Sequence, residues 1–328
     1  GRPLCGPILG TFLVTYRCNY RCKMCNFPQR CRYFQEKGWP ELPTGEMKKI
    51  LVDFAGLGVS GIGFTGGEPL LRDDIFELMR FAKDLGMITH LNTNGFFLDE
   101  KNAWNTLSAG VDSLNISLDG ANPQTHDTIR GCPGAFDKAV RAIECMRRMR
   151  GDKKHAIRIK VVMTLGKLNI DEVPRVVELA GKLGADCVEL IPEQPFAEQP
   201  DSSEKGFDEL FLEKVKKTAA YLLETKPRQI KIENSPRHIK LFEPSFRGEA
   251  SPLTCFVGYN SCAVDCFGQI FPCMPWINWA KPVGNIRETP LKEFWYSAEY
   301  NKLRTRISRC KSCFLNCQTE LNLLFNTR

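Results

Sequence analysis

Residues 11–25 read TFLVTYRCNYRCKMC. The first seven make an apolar, strand-like run, and Cys18, Cys22 and Cys25 follow it directly with unequal gaps of three and two residues. In βα folds the chemistry sits on loops after the C-terminal ends of strands. Three thiols stand at that place. A structural zinc site wants a fourth ligand close by, for which Cys31 is the candidate. A cubane 4Fe–4S cluster held by three thiolates instead leaves one iron open to an external ligand.

The strand pattern continues outward from this stretch. Further runs lie at 61–65 (GIGFT), 88–93 (ITHLNT), 111–118 (VDSLNISL), 157–164 (IRIKVVMT) and 186–191 (DCVELI). Amphipathic helical patterns fall between them, near 45–57, 72–85, 99–109, 135–149 and 171–183. Thr44 is the expected cap of the first helix; Asp171 and Gly184 bracket the last. Six units of this kind predict a parallel sheet under an outer helix layer, as an open doubly wound sheet or a partial barrel. The second strand ends in Gly66-Gly67-Glu68-Pro69 on the face that carries the cysteines. Two glycines allow close approach of the backbone to a ligand, and the polar edge that follows suits an ammonium group.

Past the sixth strand the composition changes. Pro195, Pro200, Pro227, Pro236 and Pro244 punctuate 193–250, with one helical pattern near 207–224. Seven cysteines crowd into 251–328, with a hairpin signal around Gly268 (VDCFGQIFPC) and a helical pattern near 290–306. The expected organisation is a core over 1–195, a connector over 196–250 and a small Cys-rich domain over 251–328. So small a domain gains from a metal staple.

Composition narrows the class. The chain has 328 residues, 43% hydrophobic and 25% charged, which excludes a disordered, collagenous or coiled-coil protein. No apolar run approaches the roughly 18 residues of a membrane span, and residues 1–17 lack the pattern of a signal peptide. Fifteen cysteines, an odd number without signs of secretion, point to metal or redox chemistry in the cytoplasm. The net charge is +7, and the densest basic stretch is Arg147–Lys160 (RRMRGDKKHAIRIK). It lacks the interleaved aromatics of a single-strand-binding surface, so a nucleic-acid partner is not expected.

Together, CNYRCKMC at 18–25 and GGEP at 66–69 resemble the radical S-adenosylmethionine (radical SAM) superfamily. The likeness extends to Thr93-Asn94-Gly95, Ser117-Leu118-Asp119-Gly120, His126-Asp127-x2-Arg130-Gly131 and a polar loop at Asn169. It implies a partial (β/α)6 TIM-like barrel. It also implies that Cys18, Cys22 and Cys25 hold a 4Fe–4S cluster whose open iron is chelated by the amino and carboxylate groups of S-adenosylmethionine. The cofactor contacts implied are Gly66, Gly67, Glu68, Pro69, Asn94, Ser117, Asp119, Arg130 and Leu190. Of these, Gly66, Gly67 and Glu68 meet the amino group, and Ser117 and Arg130 the carboxylate. Tyr20, Arg21 and Met24 lie near the adenine, which Leu190-Ile191-Pro192 flank. One electron then cleaves the sulfonium to a 5′-deoxyadenosyl radical, which takes a hydrogen atom from substrate.

Cys255-x12-Gly268-x4-Cys273 followed by Cys310-x2-Cys313-x3-Cys317 resembles the SPASM domain, an auxiliary iron–sulfur module, in a compressed form close to the one-cluster twitch domain. The resemblance assigns Cys255, Cys273, Cys310 and Cys313 to one auxiliary 4Fe–4S cluster, with Cys317 competing for a place. Zinc also suits four such cysteines. Cys262, Cys266, Cys317 and Cys132 are the candidates for a hydrogen-atom donor. With both clusters bound the net charge falls to about +4, which still favours an acidic flavodoxin or ferredoxin as electron donor. The chain enters its first strand by about residue 11, which leaves no leader-binding domain ahead of it. A small-molecule substrate (a sugar, aminocyclitol, lipid-linked intermediate or tetrapyrrole) is therefore expected before a ribosomally made peptide, with oxidation, epimerisation or decarboxylation among the reactions open to it.

Overall fold

The computed structural model describes residues 3–151, 157–194, 207–224, 230–279 and 281–326. Pro195, Pro200 and Pro227, and residues 152–156 of the basic stretch, lie outside them. Six parallel strands form as the periodicity predicts: β1 (Leu9–Thr15), β2 (Gly61–Gly66), β3 (Ile88–Thr93), β4 (Ser113–Ser117), β5 (Arg158–Leu165) and β6 (Cys187–Pro192). Four more follow: β7 (Lys231–Ile232), β8 (Ser261–Asp265), β9 (Gln269–Phe271) and β10 (Gly284–Asn285). All ten belong to one unclosed sheet in the order β10-β9-β8-β1-β2-β3-β4-β5-β6-β7. This is the partial barrel, with helices packed along the outside of the strands.

The two faces of the sheet differ in chemistry. On β5, the fully buried Ile159, Val161, Met163 and Leu165 alternate with the half-exposed Arg158, Lys160, Val162 and Thr164. The buried set joins Phe12, Phe64, Ile116 and Leu190 in the core against the helices, each such side chain contributing about 1.5–3 kcal/mol. The other set makes the inner face. Register places Lys160 beside Asn115 and Cys187, and Val162 beside Ser117 and Glu189.

The Cys-rich segment shares this sheet with the core. β8 runs parallel to β1, with Leu13 opposite Asp265, and β9 returns antiparallel through the turn at Gly268. Asp265 organises that turn: its Oδ1 accepts from the backbone N–H of Phe267 and Gln269, both at 2.9 Å. The hydroxyl of Tyr16, just past β1, donates to Oδ2 at 3.1 Å.

Several helices depart from the sequence reading. Thr44 does not cap the helix Thr44–Gly56; it is the first helical residue, and its hydroxyl bonds Asp74 at 2.7 Å. The pattern near 290–306 is two helices, Leu291–Tyr296 and Ala298–Ile307, because Ser297 leaves the helical region and accepts from Tyr300 N as the second N-cap. The helices Phe27–Glu36, Pro123–Arg130 and Asn316–Phe325 lie outside the sequence patterns, as do the short ones Pro236–Ile239, Phe242–Phe246 and Met274–Trp279. The first two start with Pro near N1, and the second has an Asn122 cap and a left-handed Gly131 at its end. Those are ordinary start and stop signals on weakly apolar segments. No helix among the described residues is long and apolar enough to cross a membrane.

Candidate active site at the strand ends

Cys18, Cys22 and Cys25 occupy the loop after β1, and two neighbours fasten that loop. On one side, Gly67 N–H donates to Thr15 O and Glu68 N–H to Arg17 O, both at 2.8 Å. A Cβ on Gly67 would stand 2.0 Å from Arg17 O, and one on Gly66 2.2 Å from Thr15 O. The glycines are thus needed for contact with the chain itself, where the sequence reading had a ligand. On the other side, Arg21 N–H reaches Arg130 O at 3.3 Å and Lys23 N–H reaches Ile129 O at 2.9 Å. Gly131, at φ +59°, lies under Arg21, whose carbonyl oxygen would sit 2.3 Å from a Cβ there.

The polar residues implied as cofactor contacts are mostly engaged within the protein. Glu68 is fully buried; its carboxylate accepts from Leu70 N at 3.0 Å, Thr93 Oγ1 at 2.8 Å and Asn94 N at 2.8 Å. Burial pushes its carboxyl up to about 7, against those hydrogen bonds. Asn94 donates to Asn19 Oδ1 at 2.8 Å, inside the cysteine loop, and accepts from Phe96 N. Tyr20 is buried edge-on against Phe96. Pro69, itself buried, opens a single turn over Pro69–Leu71.

Asp119 is the hub at the end of β4. Its Oδ1 accepts from Thr164 N at 2.8 Å, its N–H donates to His126 Nδ1 at 2.9 Å, and Asn169 Nδ2 donates to its carbonyl at 2.9 Å. Its Oδ2 faces Arg130 Nε at 2.6 Å. Asp127, next to His126, receives Gly134 N and Phe136 N and so starts the helix Ala135–Arg150. The HDxxRG stretch therefore builds a mount for Arg130, whose Nη1 lies 3.8 Å from Cys22 Sγ. Burial works against the guanidinium charge, but Asp119 and Cys22 more than offset it. Ser117 ends β4 on the inner face, half-exposed. Leu190 is fully buried: register with Met163 puts its side chain among the outer helices, while Asn234 holds its backbone N–H and C=O, both at 2.8 Å. Ile191 takes the inner-face position instead.

The donor set fits an iron–sulfur cluster on its chemistry. Burial foremost, with the charge of neighbouring Cys22, raises the thiols of Cys18 and Cys25 to about 11 and about 12. Unpartnered buried polar atoms gather around the same loop: Asn19 Nδ2, Tyr20 Oη, Asn26 Nδ2 and Arg30 Nε. Arg130 Nε and Asp119 Oδ2 pair with each other at 2.6 Å. Among the described residues no three acidic, histidine or cysteine side chains stand close enough to enclose a single ion; the fit rests on soft donors brought to one place.

In the C-terminal part, Cys255, Cys273, Cys310 and Cys313 lie within each other's electrostatic reach. Cys317 neighbours Cys313, but its own charged surroundings are Glu189 and Lys160. Its side chain is exposed. Cys262 and Cys266, candidates for a hydrogen-atom donor, sit apart from the other two. Both are fully buried small side chains, Cys262 on the face of β8 turned from the inner side. Cys132 and Cys317 retain access.

Sequence reading assigned no roles on the inner wall, and the structure adds polar pairs there. Asn115 Nδ2 donates to Asn92 Oδ1 at 2.8 Å, and Lys160 Nζ meets Glu189 Oε2 at 2.6 Å. The other Glu189 oxygen is bonded by Asn316, beside Cys317. This set connects the barrel wall to the Cys-rich segment, a contact that strand alternation alone does not reveal.

The family model described as the radical SAM superfamily matches residues 12–180. The model for SPASM, an iron–sulfur cluster-binding domain, matches residues 255–318. An AdoMet-dependent heme synthase from Methanosarcina barkeri is 34% identical over 277 residues, 80% of this chain and 76% of that protein. Among solved structures, Streptococcus suis SuiB has a TM-score of 0.73 at 15% identity, covering 92% of this chain and 68% of its own. An anSMEcpe structure with bound AdoMet has a TM-score of 0.65 at 18% identity, covering 90% and 82%.

Proposed function

The chain belongs to the radical SAM superfamily and ends in a SPASM domain, and on that premise we propose that it converts an iron-bearing tetrapyrrole precursor into heme. The observation that carries this reading is the identity, extended over most of both chains, with the heme synthase of Methanosarcina barkeri. The likeness to SuiB, at 15% identity, carries the fold and no substrate.

The cluster and its bound S-adenosylmethionine supply a radical able to take a hydrogen atom from an unactivated carbon. The residues of this chain do the remaining work. Cys18, Cys22 and Cys25 hold the cluster, in a loop fixed between the Gly66–Gly67 turn and Gly131. Arg130, aimed by Asp119, receives the methionine carboxylate, the fork geometry suiting two oxygens. Ser117 assists from the end of β4. Glu68 and Asn94 shape the site by holding the loops together. On the inner face Lys160 stays charged, Glu189 and Glu233 opposing the burial that would neutralise it. Cys255, Cys273, Cys310 and Cys313 would hold one auxiliary cluster; with four thiolates leaving no iron open, it would supply electron transfer.

The test is anaerobic incubation of the reconstituted enzyme with S-adenosylmethionine, dithionite and iron porphyrins that differ in their side-chain carboxylates. Heme should appear in step with 5′-deoxyadenosine. Formation of 5′-deoxyadenosine with every porphyrin unchanged, or only with a peptide, removes the heme assignment.

A further inference from the structure

The other strongly buried arginines of this chain meet carboxylates: Arg72 pairs with Asp74 and Glu41, and Arg130 with Asp119. Even the basic stretch over 147–160 finds its acids in the fold. Arg148 pairs with Glu100, Arg150 with Asp186, Arg158 with Glu233 and Lys160 with Glu189. Arg304 is different. It is completely buried, and among the described residues no carboxylate pairs with it. Its Nε donates to Gly258 O and its Nη2 to Trp295 O, both at 2.6 Å, while Nη1 has no partner there. The rings of Tyr300, Trp295 and Tyr259 stand 4.3, 4.7 and 5.5 Å from the guanidinium carbon. Rings recover part of the cost of taking a cation out of water, but a buried charge without an anion remains expensive. Cys262, in electrostatic reach of Arg304, does not supply the anion: burial pushes its thiol up to about 12 and keeps it neutral.

The surroundings of this cation lead to the C-terminal cysteines. The helix Ala298–Ile307 carries it, and Leu303 and Ile307 of the same helix pack in one cluster with Cys255, Cys273 and Cys310. Gly258, whose carbonyl Arg304 holds, follows Cys255 by three residues; a Cβ on it would stand 3.1 Å from Arg304 Cγ. Tyr300, one turn back on the helix, lies in electrostatic reach of Arg304 and Cys273, and among the described residues its buried hydroxyl also lacks a partner. A guanidinium and a phenol, each with a polar atom unspent, thus stand against the segment of one thiol and within reach of another. Simple packing explains the rings but not a full charge among them. Four thiolates on a dicationic cubane carry about −2, which is the anion that Arg304 lacks.

We propose that Arg304 is the resident counter-charge of the auxiliary cluster: it binds no iron, and it raises the potential at which that cluster takes an electron. The proposal rests on the assignment of Cys255, Cys273, Cys310 and Cys313 to the cluster. One-electron reduction takes the cluster from about −2 to about −3, so a fixed cation favours the reduced form, the more so where water is excluded. Lys311 also reaches Cys255, but it is half-exposed, and solvent screens it. Arg304 is therefore a positioning residue for charge, acting through the cluster.

The experiment is an EPR-monitored redox titration of the reconstituted enzyme, in which the auxiliary signal is the one that Cys255→Ala lacks. In Arg304→Gln the reduction equilibrium of that signal should fall at least about tenfold, or about 59 mV for one electron, with the N-terminal cluster unmoved. Arg304→Lys keeps the charge and should hold the wild-type auxiliary potential; Lys311→Gln should shift it less than Arg304→Gln does. Should the Gln variant load no auxiliary cluster, loading of the Lys variant at the wild-type potential supports the counter-charge, and loss of the cluster from both makes Arg304 a packing residue and overturns it. Equal auxiliary potentials in wild type and Arg304→Gln, or equal shifts in the Gln and Lys variants, overturn it alone. A Cys255→Ala enzyme that keeps both signals refutes the ligand set proposed above, and a wild type with one signal and zinc on these thiols refutes the auxiliary cluster; either removes the role of Arg304 with it.

Discussion

Arg130 Nε stands 2.6 Å from Asp119 Oδ2, with Asp119 sealed from solvent and the guanidinium only 11% exposed. The carboxylate is held in turn by Thr164, and its residue by His126 and Asn169. A cation is thus fixed beside Cys22 by groups from the ends of β4 and β5 and the helix Pro123–Arg130.

Arg130→Ala removes the counter-charge and leaves Asp119 buried alone. Breaking a buried pair in this way costs about 3–5 kcal/mol, readable as a lower denaturant midpoint. Arg130→Lys keeps the charge but loses the fork, so the Kd for S-adenosylmethionine should rise about tenfold, or about 1.4 kcal/mol. Equal affinity of the Lys variant would move the carboxylate site elsewhere.

Cys255→Ala and Cys317→Ala should differ in metal content after anaerobic reconstitution. Cys255 belongs to the four mutually coupled thiols, so its loss should remove one cluster's iron and sulfide. Cys317 faces Glu189 and Lys160, so its loss should leave both clusters filled. Iron lost from the Cys317 variant alone would reverse the assignment.

A methyl group at Gly67 or Gly131 collides with a backbone oxygen 2.0 or 2.3 Å away. Neither oxygen can turn aside, because both belong to the cysteine loop. Gly131→Ala adds a left-handed backbone cost of about 1–2 kcal/mol. Both variants should fold with less iron on the N-terminal trio and make at least about tenfold less 5′-deoxyadenosine per protein, a loss of about 1.4 kcal/mol in transition-state terms. Gly38→Ala, where nothing lies within 4 Å, is the control for a left-handed site remote from the loop.

Asp265 gives a pH signature. Burial pushes its carboxyl up to about 7, against the N–H groups of Gln269 and Phe267 and the Tyr16 hydroxyl. Its ordinary value is 3.8. Between those values the folded state binds the proton more tightly than the unfolded one, so this residue's contribution to stability falls as pH rises from about 4 to about 7, then levels off. The total is on the order of 4 kcal/mol. Asp265→Asn lacks that slope, so its urea midpoint should gain on wild type from pH 5 to pH 8. Parallel profiles would mean that the acid is not desolvated.

The strands were legible because their alternation and spacing are local properties. All six came out within two residues of their observed starts. The cysteine trio was legible for the same reason: one short segment carries it. What escaped were relations between distant segments. Nothing local in SCAVD says that it pairs with Leu9–Thr15, or that Asn316 bonds Glu189. Glu68 and Asp119, expected as cofactor contacts from the resemblance, are buried and bonded to Thr93, Asn94 and Thr164, relations that no local pattern reveals. Charge density misled likewise, since Arg147–Lys160 is rich in arginine but its acids arrive from elsewhere in the chain.

The pairing of β8 with β1 has a temporal meaning. A ribosome releases residues 9–15 long before 261–265, so one edge of the first strand waits without a neighbour through most of synthesis, exposed to wrong pairing. The metal loop hanging from that strand gains its final support only when the last quarter of the polypeptide arrives.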